Sequence, residues 1–121
     1  MDPDRIVREF CAAWGRGDLD AIVDAFSDDA VYHNIPMAPC AGKPAIRTFV
    51  AGFLEGTASA IEFDIRNQVA SGNVVLNERV DTIQLASGTV TLPVCGVFEL
   101  RPDGKISAWR DYFDMKQFTG Q

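Results

Sequence analysis

The sequence predicts an α+β domain, with three helical segments in its first half and four strands joined by short turns in its second. Two patterns carry that reading. Apolar residues recur every three or four positions as far as Leu54, and period-two runs broken by Gly, Asn and Asp follow from Ile61. Helices laid against one concave face of a bent sheet would enclose a cone with an apolar interior.

The elements follow in order. Asp2-Pro3 offers an N-cap and a proline at the first helical position, and Ile6, Val7, Phe10, Cys11 and Trp14 then fall on one stripe. Gly15 and Gly17 end that helix. Asp18 caps a second, short helix carrying Leu19, Ile22, Val23 and Phe26, which Ser27-Asp28-Asp29 closes. Residues 30–35 read as a short strand, and residues 36–42, with two prolines and a glycine, as a loop. Lys43 or Pro44 opens a third helix with Ile46, Phe49, Val50, Phe53 and Leu54 on one side, ended by Gly56. Strands at 61–70, 74–85, 89–100 and 105–114 are separated by turns at Ser71-Gly72-Asn73, Ala86-Ser87-Gly88 and Asp103-Gly104, the pattern of an antiparallel meander. Pro93 inside the third of these strands calls for a bulge or an edge.

A chain of 121 residues is expected to form one domain over residues 1–121. With a net charge of −6 and no Lys/Arg cluster, binding to nucleic acid or to anionic membrane is disfavoured. No apolar run approaches the length of a membrane span. Met1-Asp2-Pro3-Asp4-Arg5 lacks the apolar run of a signal peptide, so a cytoplasmic location is expected. Cys11, Cys40 and Cys95 are widely and irregularly spaced, which fits reduced, mostly buried small hydrophobes better than a disulfide framework or a zinc site.

Chemistry concentrates at three places. In a strand, residues i and i+2 share a face. Arg79 and Asp81 therefore stand on one face with Val75, Ile83 and Leu85, and Asp111 shares its face with Trp109 and Phe113. Charges among apolar neighbours are costly unless paired. An arginine bridging two carboxylates meets that need, either as a structural ion cluster or as a proton-transfer site. Tyr32 and Asn34 also stand two apart, either as a satisfied polar pair at a strand end or as two groups that orient one water. His33, the only histidine, alternates away from them, which leaves neither a histidine-based metal site nor a serine–histidine triad. No metal site and no cofactor are called for.

Tyr32-His33-Asn34-Ile35-Pro36, Glu78-Arg79-Val80-Asp81 and Trp109-Arg110-Asp111-Tyr112-Phe113-Asp114 occur in this order and at separations that resemble the three signature segments of the limonene-1,2-epoxide hydrolases. The resemblance extends from Ile6-Val7-Arg8-Glu9-Phe10 to Phe118, nearly the whole chain. It implies a nuclear-transport-factor-2-like cone (also called SnoaL-like) with a strongly curved, mixed but largely antiparallel sheet, three helices on its concave side, and homodimers. It also implies cofactor-free, one-step addition of water to an apolar epoxide, giving a vicinal diol. Asp111 would be the general base on a water held by Tyr32 and Asn34, Asp81 the general acid, and Arg79 the bridge between the carboxylates. Pocket walls are implied at Trp14, Phe53, Ile83, Leu92, Val94, Trp109, Phe113 and Phe118. Two other readings use the same scaffold: a ketosteroid-isomerase-like or polyketide-cyclase-like enzyme, and a non-catalytic, small-ligand-binding dimer. An arginine between two acids favours their ionised forms and has little use in the isomerase design.

Overall fold

The computed structural model describes residues 1–119. In chain order the elements are α1 (Pro3–Arg16), α2 (Leu19–Asp24), β1 (Phe26–Asn34), β2 (Cys40–Ala41), α3 (Lys43–Gly52), one π-helical turn (Phe53–Thr57), β3 (Ala58–Ser71), β4 (Val74–Leu85), β5 (Gly88–Leu100), β6 (Ile106–Tyr112) and α4 (Met115–Thr119). Among the described residues no helix is long and apolar enough to cross a membrane.

Local chemistry sets the helix ends. Asp2 accepts a hydrogen bond from the Arg5 amide at 3.2 Å, Pro3 follows it, and Gly17 closes α1 in the left-handed conformation at φ 65°. Asp18 caps α2 through the Ala21 amide at 3.1 Å. Burial then fixes orientation: Val7, Phe10, Cys11 and Trp14 of α1 face the sheet. Phe10 meets Phe26, Phe98 and Trp109 edge-on, with ring centroids 5.4, 6.1 and 5.0 Å away.

The six strands form one mixed, curved sheet in the order β2-β1-β6-β5-β4-β3. The expected meander is present as β3 to β6, each antiparallel to the next. β1 joins the far side of β6 in parallel, with Tyr32 opposite Trp109 and Asn34 opposite Asp111. That single parallel pairing brings the first strand segment of the sequence beside the last.

Several boundaries differ from those expected. Ser27-Asp28-Asp29 does not close a helix; α2 stops at Asp24 and β1 begins at Phe26. The β1–β6 register breaks between Phe26 and Val31, so the exposed Asp28 and Asp29 occupy an irregular stretch while Phe26, Ala30 and Tyr32 still point inward. The expected loop contains the two-residue edge strand β2. Residues 113–114 lie outside β6, and α4 follows them, an element without a clear periodic signal. Pro93 sits in regular pairing with Val80 and without a bulge. Because the β5–β6 ladder reaches only to Cys95 opposite Tyr112, the other side of β5 at Pro93 is an edge, which spares a missing N–H. The cysteines divide: Cys11 is buried, Cys40 half-buried and Cys95 exposed, so "mostly buried" holds for Cys11 alone. Cys95 alternates with the inward Val94 and so faces out.

Candidate active site

β4 turns Asn77, Arg79, Asp81 and Ile83 inward, and β6 does the same for Trp109 and Asp111. All three charged side chains are buried, Arg79 completely. β5 runs between them, with Gly96 directly opposite Asn77 on one side and Asp111 on the other. A Cβ at Gly96 would stand 2.6 Å from Arg79 Nη1 and 2.9 Å from Asp111 Oδ1. The missing side chain is what allows Arg79 to reach across β5.

Arg79 holds both carboxylates with two hydrogen bonds each. Its Nε and Nη2 donate to Asp81 Oδ1 and Oδ2 at 3.0 and 2.9 Å. Nη1 and Nη2 donate to Asp111 Oδ1 and Oδ2 at 3.1 and 2.8 Å. The remaining Nη1 proton goes to Asn77 Oδ1 at 3.1 Å, so all five guanidinium donors are used. The cation also lies 4.5 Å from the centroid of the Phe63 ring. Asp111 takes a third donor, Trp109 Nε1, at 2.7 Å.

One cation between two carboxylates leaves a net negative charge in a buried site, and that favours holding one proton. Burial, followed by the Asp111 charge, raises the Asp81 carboxyl to about 6 against the lowering pull of Arg79. Asp81 accepts two hydrogen bonds within this cluster and Asp111 three. Burial works against the Arg79 charge, yet Asp111 and Asp81 together outweigh it and hold the guanidinium firmly protonated. Burial and the nearby Asp111 also raise the Tyr32 hydroxyl, which therefore stays a neutral donor. Tyr32 lies flat on Trp109, with centroids 4.2 Å apart and planes 6° from parallel, and donates to Asn34 Oδ1 at 3.3 Å.

These groups open on a cavity of about 480 Å³ between the sheet, α3, the π-helical turn and α4. Tyr32, Asn34, Asp81 and Asp111 line it, together with seven of the eight walls named from sequence: Trp14, Phe53, Ile83, Leu92, Val94, Phe113 and Phe118. Trp109 is the correction. It is fully buried, stacked between Tyr32 and Phe98, and supports the floor instead of touching the cavity. Arg79 likewise sits behind the wall. Further lining comes from Met37, Phe49, Ile61 and Phe63, none of them among the walls the resemblance implies. Among the described residues, the Trp14 indole N–H is buried without a hydrogen-bond partner. His33 faces away, its Nε2 2.9 Å from the Met37 carbonyl oxygen.

Asn77 and Gly96 were missed as well. Asn77 had an available signal, since it precedes Arg79 by two on the strand face that also carries Asp81. Gly96 and Phe63 had none, because only strand register puts them against Arg79.

The family model of the limonene-1,2-epoxide hydrolase catalytic domain matches residues 1–121. The chain belongs to this family. As a limonene-1,2-epoxide hydrolase family member it is 36% identical over 109 residues to the epoxide hydrolase EphG of Mycobacterium tuberculosis, covering 90% of this chain and 71% of the relative. The solved structure of a limonene-epoxide-hydrolase-like epoxide hydrolase from M. tuberculosis is 35% identical, with a TM-score of 0.86 over 98% of this chain and 87% of the other. An NTF2-like protein of unknown function from Burkholderia pseudomallei K96243 superposes with a TM-score of 0.88 at 18% identity, covering 99% and 97% of the two chains. That likeness concerns the fold alone: this family member has the NTF2/SnoaL-like architecture.

Proposed function

We propose that the protein is an epoxide hydrolase that adds water to a small apolar epoxide in one step, without cofactor or covalent intermediate. The observation that carries this reading is Arg79 gripping Asp81 and Asp111 at the wall of an apolar cavity, with Tyr32 and Asn34 beside Asp111.

Asp111, ionised, takes a proton from a water that Tyr32 and Asn34 orient. The water oxygen attacks one epoxide carbon from the side opposite its C–O bond. As that bond breaks, Asp81 delivers its proton to the leaving oxygen, so no free alkoxide forms. The product is a vicinal diol, inverted at the attacked carbon. The proton gained by Asp111 must then return to Asp81 before the next turnover. Arg79 faces one ionised carboxylate before and after, so its charge stays balanced while the negative charge changes sides. The apolar walls suit a substrate without charged groups. The same reading takes the active species to be a homodimer in the cytoplasm, and the exposed Val69, Leu76 and Tyr112 on the outer sheet face suit a subunit contact.

The test is a panel of terpene, cycloalkene, fatty and sterol epoxides incubated in water enriched in heavy oxygen. Diol carrying the label within a single turnover is expected. Unlabelled diol in the first turnover would point to an ester intermediate. Isomerisation of a ketosteroid with every epoxide untouched would refute the proposal.

A further inference from the structure

The polar chemistry of the site does not stop at Arg79. Asn77, 2% exposed, accepts from Arg79 Nη1 and turns its amide nitrogen toward β3, where Nδ2 donates to Gln68 Oε1 at 3.1 Å. Gln68 stands directly opposite Asn77 in the β3–β4 ladder. Its own Nε2 donates to Asp4 at the start of α1, at 2.8 Å to Oδ1 and 3.1 Å to the main-chain oxygen. A bonded chain thus runs from the buried guanidinium to the first turn of α1.

The chain has one sense. A guanidinium only donates, so Asn77 must present its oxygen to Arg79 and its nitrogen to Gln68. Gln68 must then accept with its oxygen and donate with its nitrogen, which suits the carboxylate and carbonyl of Asp4. Reversing either amide would set N–H against N–H.

This orientation bears on the proposed reaction. During turnover the negative charge moves from Asp111 to Asp81, and the pull on Arg79 moves with it. A free guanidinium would lean toward whichever carboxylate is ionised. Gly96 leaves no side chain beside Nη1 to resist that lean, and Asn77 Oδ1 is the one acceptor of Arg79 that carries no charge in either state.

We propose that Asn77 is a positioning residue whose carboxamide, oriented by Gln68 and Asp4, fixes the Arg79 guanidinium while the proton moves between Asp111 and Asp81. The proposal rests on the epoxide hydrolase reading for its kinetic consequence only. The hydrogen-bond chain itself is independent of the substrate.

The experiment compares the wild type with Asn77→Leu, which keeps the volume and removes both hydrogen bonds, and with Gln68→Met, which breaks the chain one link further out at a half-buried position. Near-ultraviolet circular dichroism establishes the folded state, and Gln68→Met serves should Asn77→Leu not fold. The expected result is a fall in kcat of about 10- to 100-fold for Asn77→Leu, with KM within about twofold, and a smaller fall for Gln68→Met. Carbon-13 titration of the Asp81 carboxyl gives a readout that does not need turnover. Arg79 on β4 and Asp111 on β6 act on Asp81, while Tyr32 on β1 and Cys11 on α1 feel its charge in turn and are neutral over the range titrated. A loosened Arg79 lowers the Asp81 carboxyl less, so its midpoint should rise in both variants. Folded variants with wild-type kcat, or with an unmoved Asp81 midpoint, would overturn the proposal. A wild type that forms no diol from any epoxide would refute the hydrolase reading, and the Asp81 midpoint would still decide the role of Asn77.

Discussion

Arg79 passes over Gly96: the guanidinium occupies space that any other residue at position 96 would fill, with Nη1 only 2.6 Å from where a Cβ would lie. Gly96 is not among the glycines with positive φ, so contact and not backbone conformation requires it.

Gly96→Ala should therefore displace the guanidinium and disrupt both ion pairs. A loss of about 1–3 kcal/mol in unfolding free energy is expected from urea titration. Diol formation should fall by about 10²-fold or more, because the acid and base would no longer be aligned. Wild-type activity in Gly96→Ala would mean that Arg79 is not needed where it stands.

Asp111→Asn removes the proposed base and keeps an oxygen that can accept from Trp109 and Arg79. Diol formation should drop by about 10²- to 10⁴-fold. One of two carboxylates around a single buried cation is neutralised, which offsets the amide N–H now facing Arg79 Nη2, so stability at pH 8 should equal or exceed that of the wild type. Denaturant midpoints and a diol assay check the two halves separately.

Arg79→Ala leaves Asp81 and Asp111 buried without a counter-charge, at a cost of about 3–5 kcal/mol. Protonation relieves that cost, so the loss should be larger at pH 8 than at pH 5. Adding Asp111→Asn should restore part of the stability, and thermal melts of the single and double variants at both pH values measure it.

Burial places the Asp81 carboxyl at about 6, above the ordinary aspartate value of 3.8. The folded chain therefore binds this proton more tightly than the unfolded chain. Its contribution to stability is complete below about 4 and is lost as pH rises through about 6. Asp81→Asn should flatten that part of the stability–pH curve. For the wild type, kcat/KM should fall as pH rises past about 6, as Asp81, the proposed general acid, loses its proton. An apolar epoxide further desolvates Asp81, so the corresponding limb of kcat should lie at higher pH. A kcat/KM that stays level from pH 6 to 9 would be incompatible with Asp81 as the acid.

Much of this molecule follows from local rules. The caps at Asp2 and Asp18, the stripe of Val7, Phe10, Cys11 and Trp14, and the turns between β3 and β6 are encoded within a few residues of where they act. Strand alternation alone put Arg79, Asp81 and Asp111 among apolar neighbours and turned His33 away. Where polarity and periodicity conflicted, local reading went astray. The polar run Ser27-Asp28-Asp29 looked like a helix end because its bulge against β6 is a property of the sheet, not of the segment.

Tertiary structure alone decided how these pieces meet. The parallel pairing of β1 with β6 set Tyr32 and Asn34 beside Asp111, a contact between residues nearly eighty positions apart. Register across β4, β5 and β6 put the vacant side of Gly96 under Arg79 and moved Trp109 from the cavity wall to the floor beneath Tyr32. The physical reason is that alternation fixes which face a side chain takes, whereas its neighbours across the ladder depend on how distant strands slide into register, and no short stretch of chain carries that information.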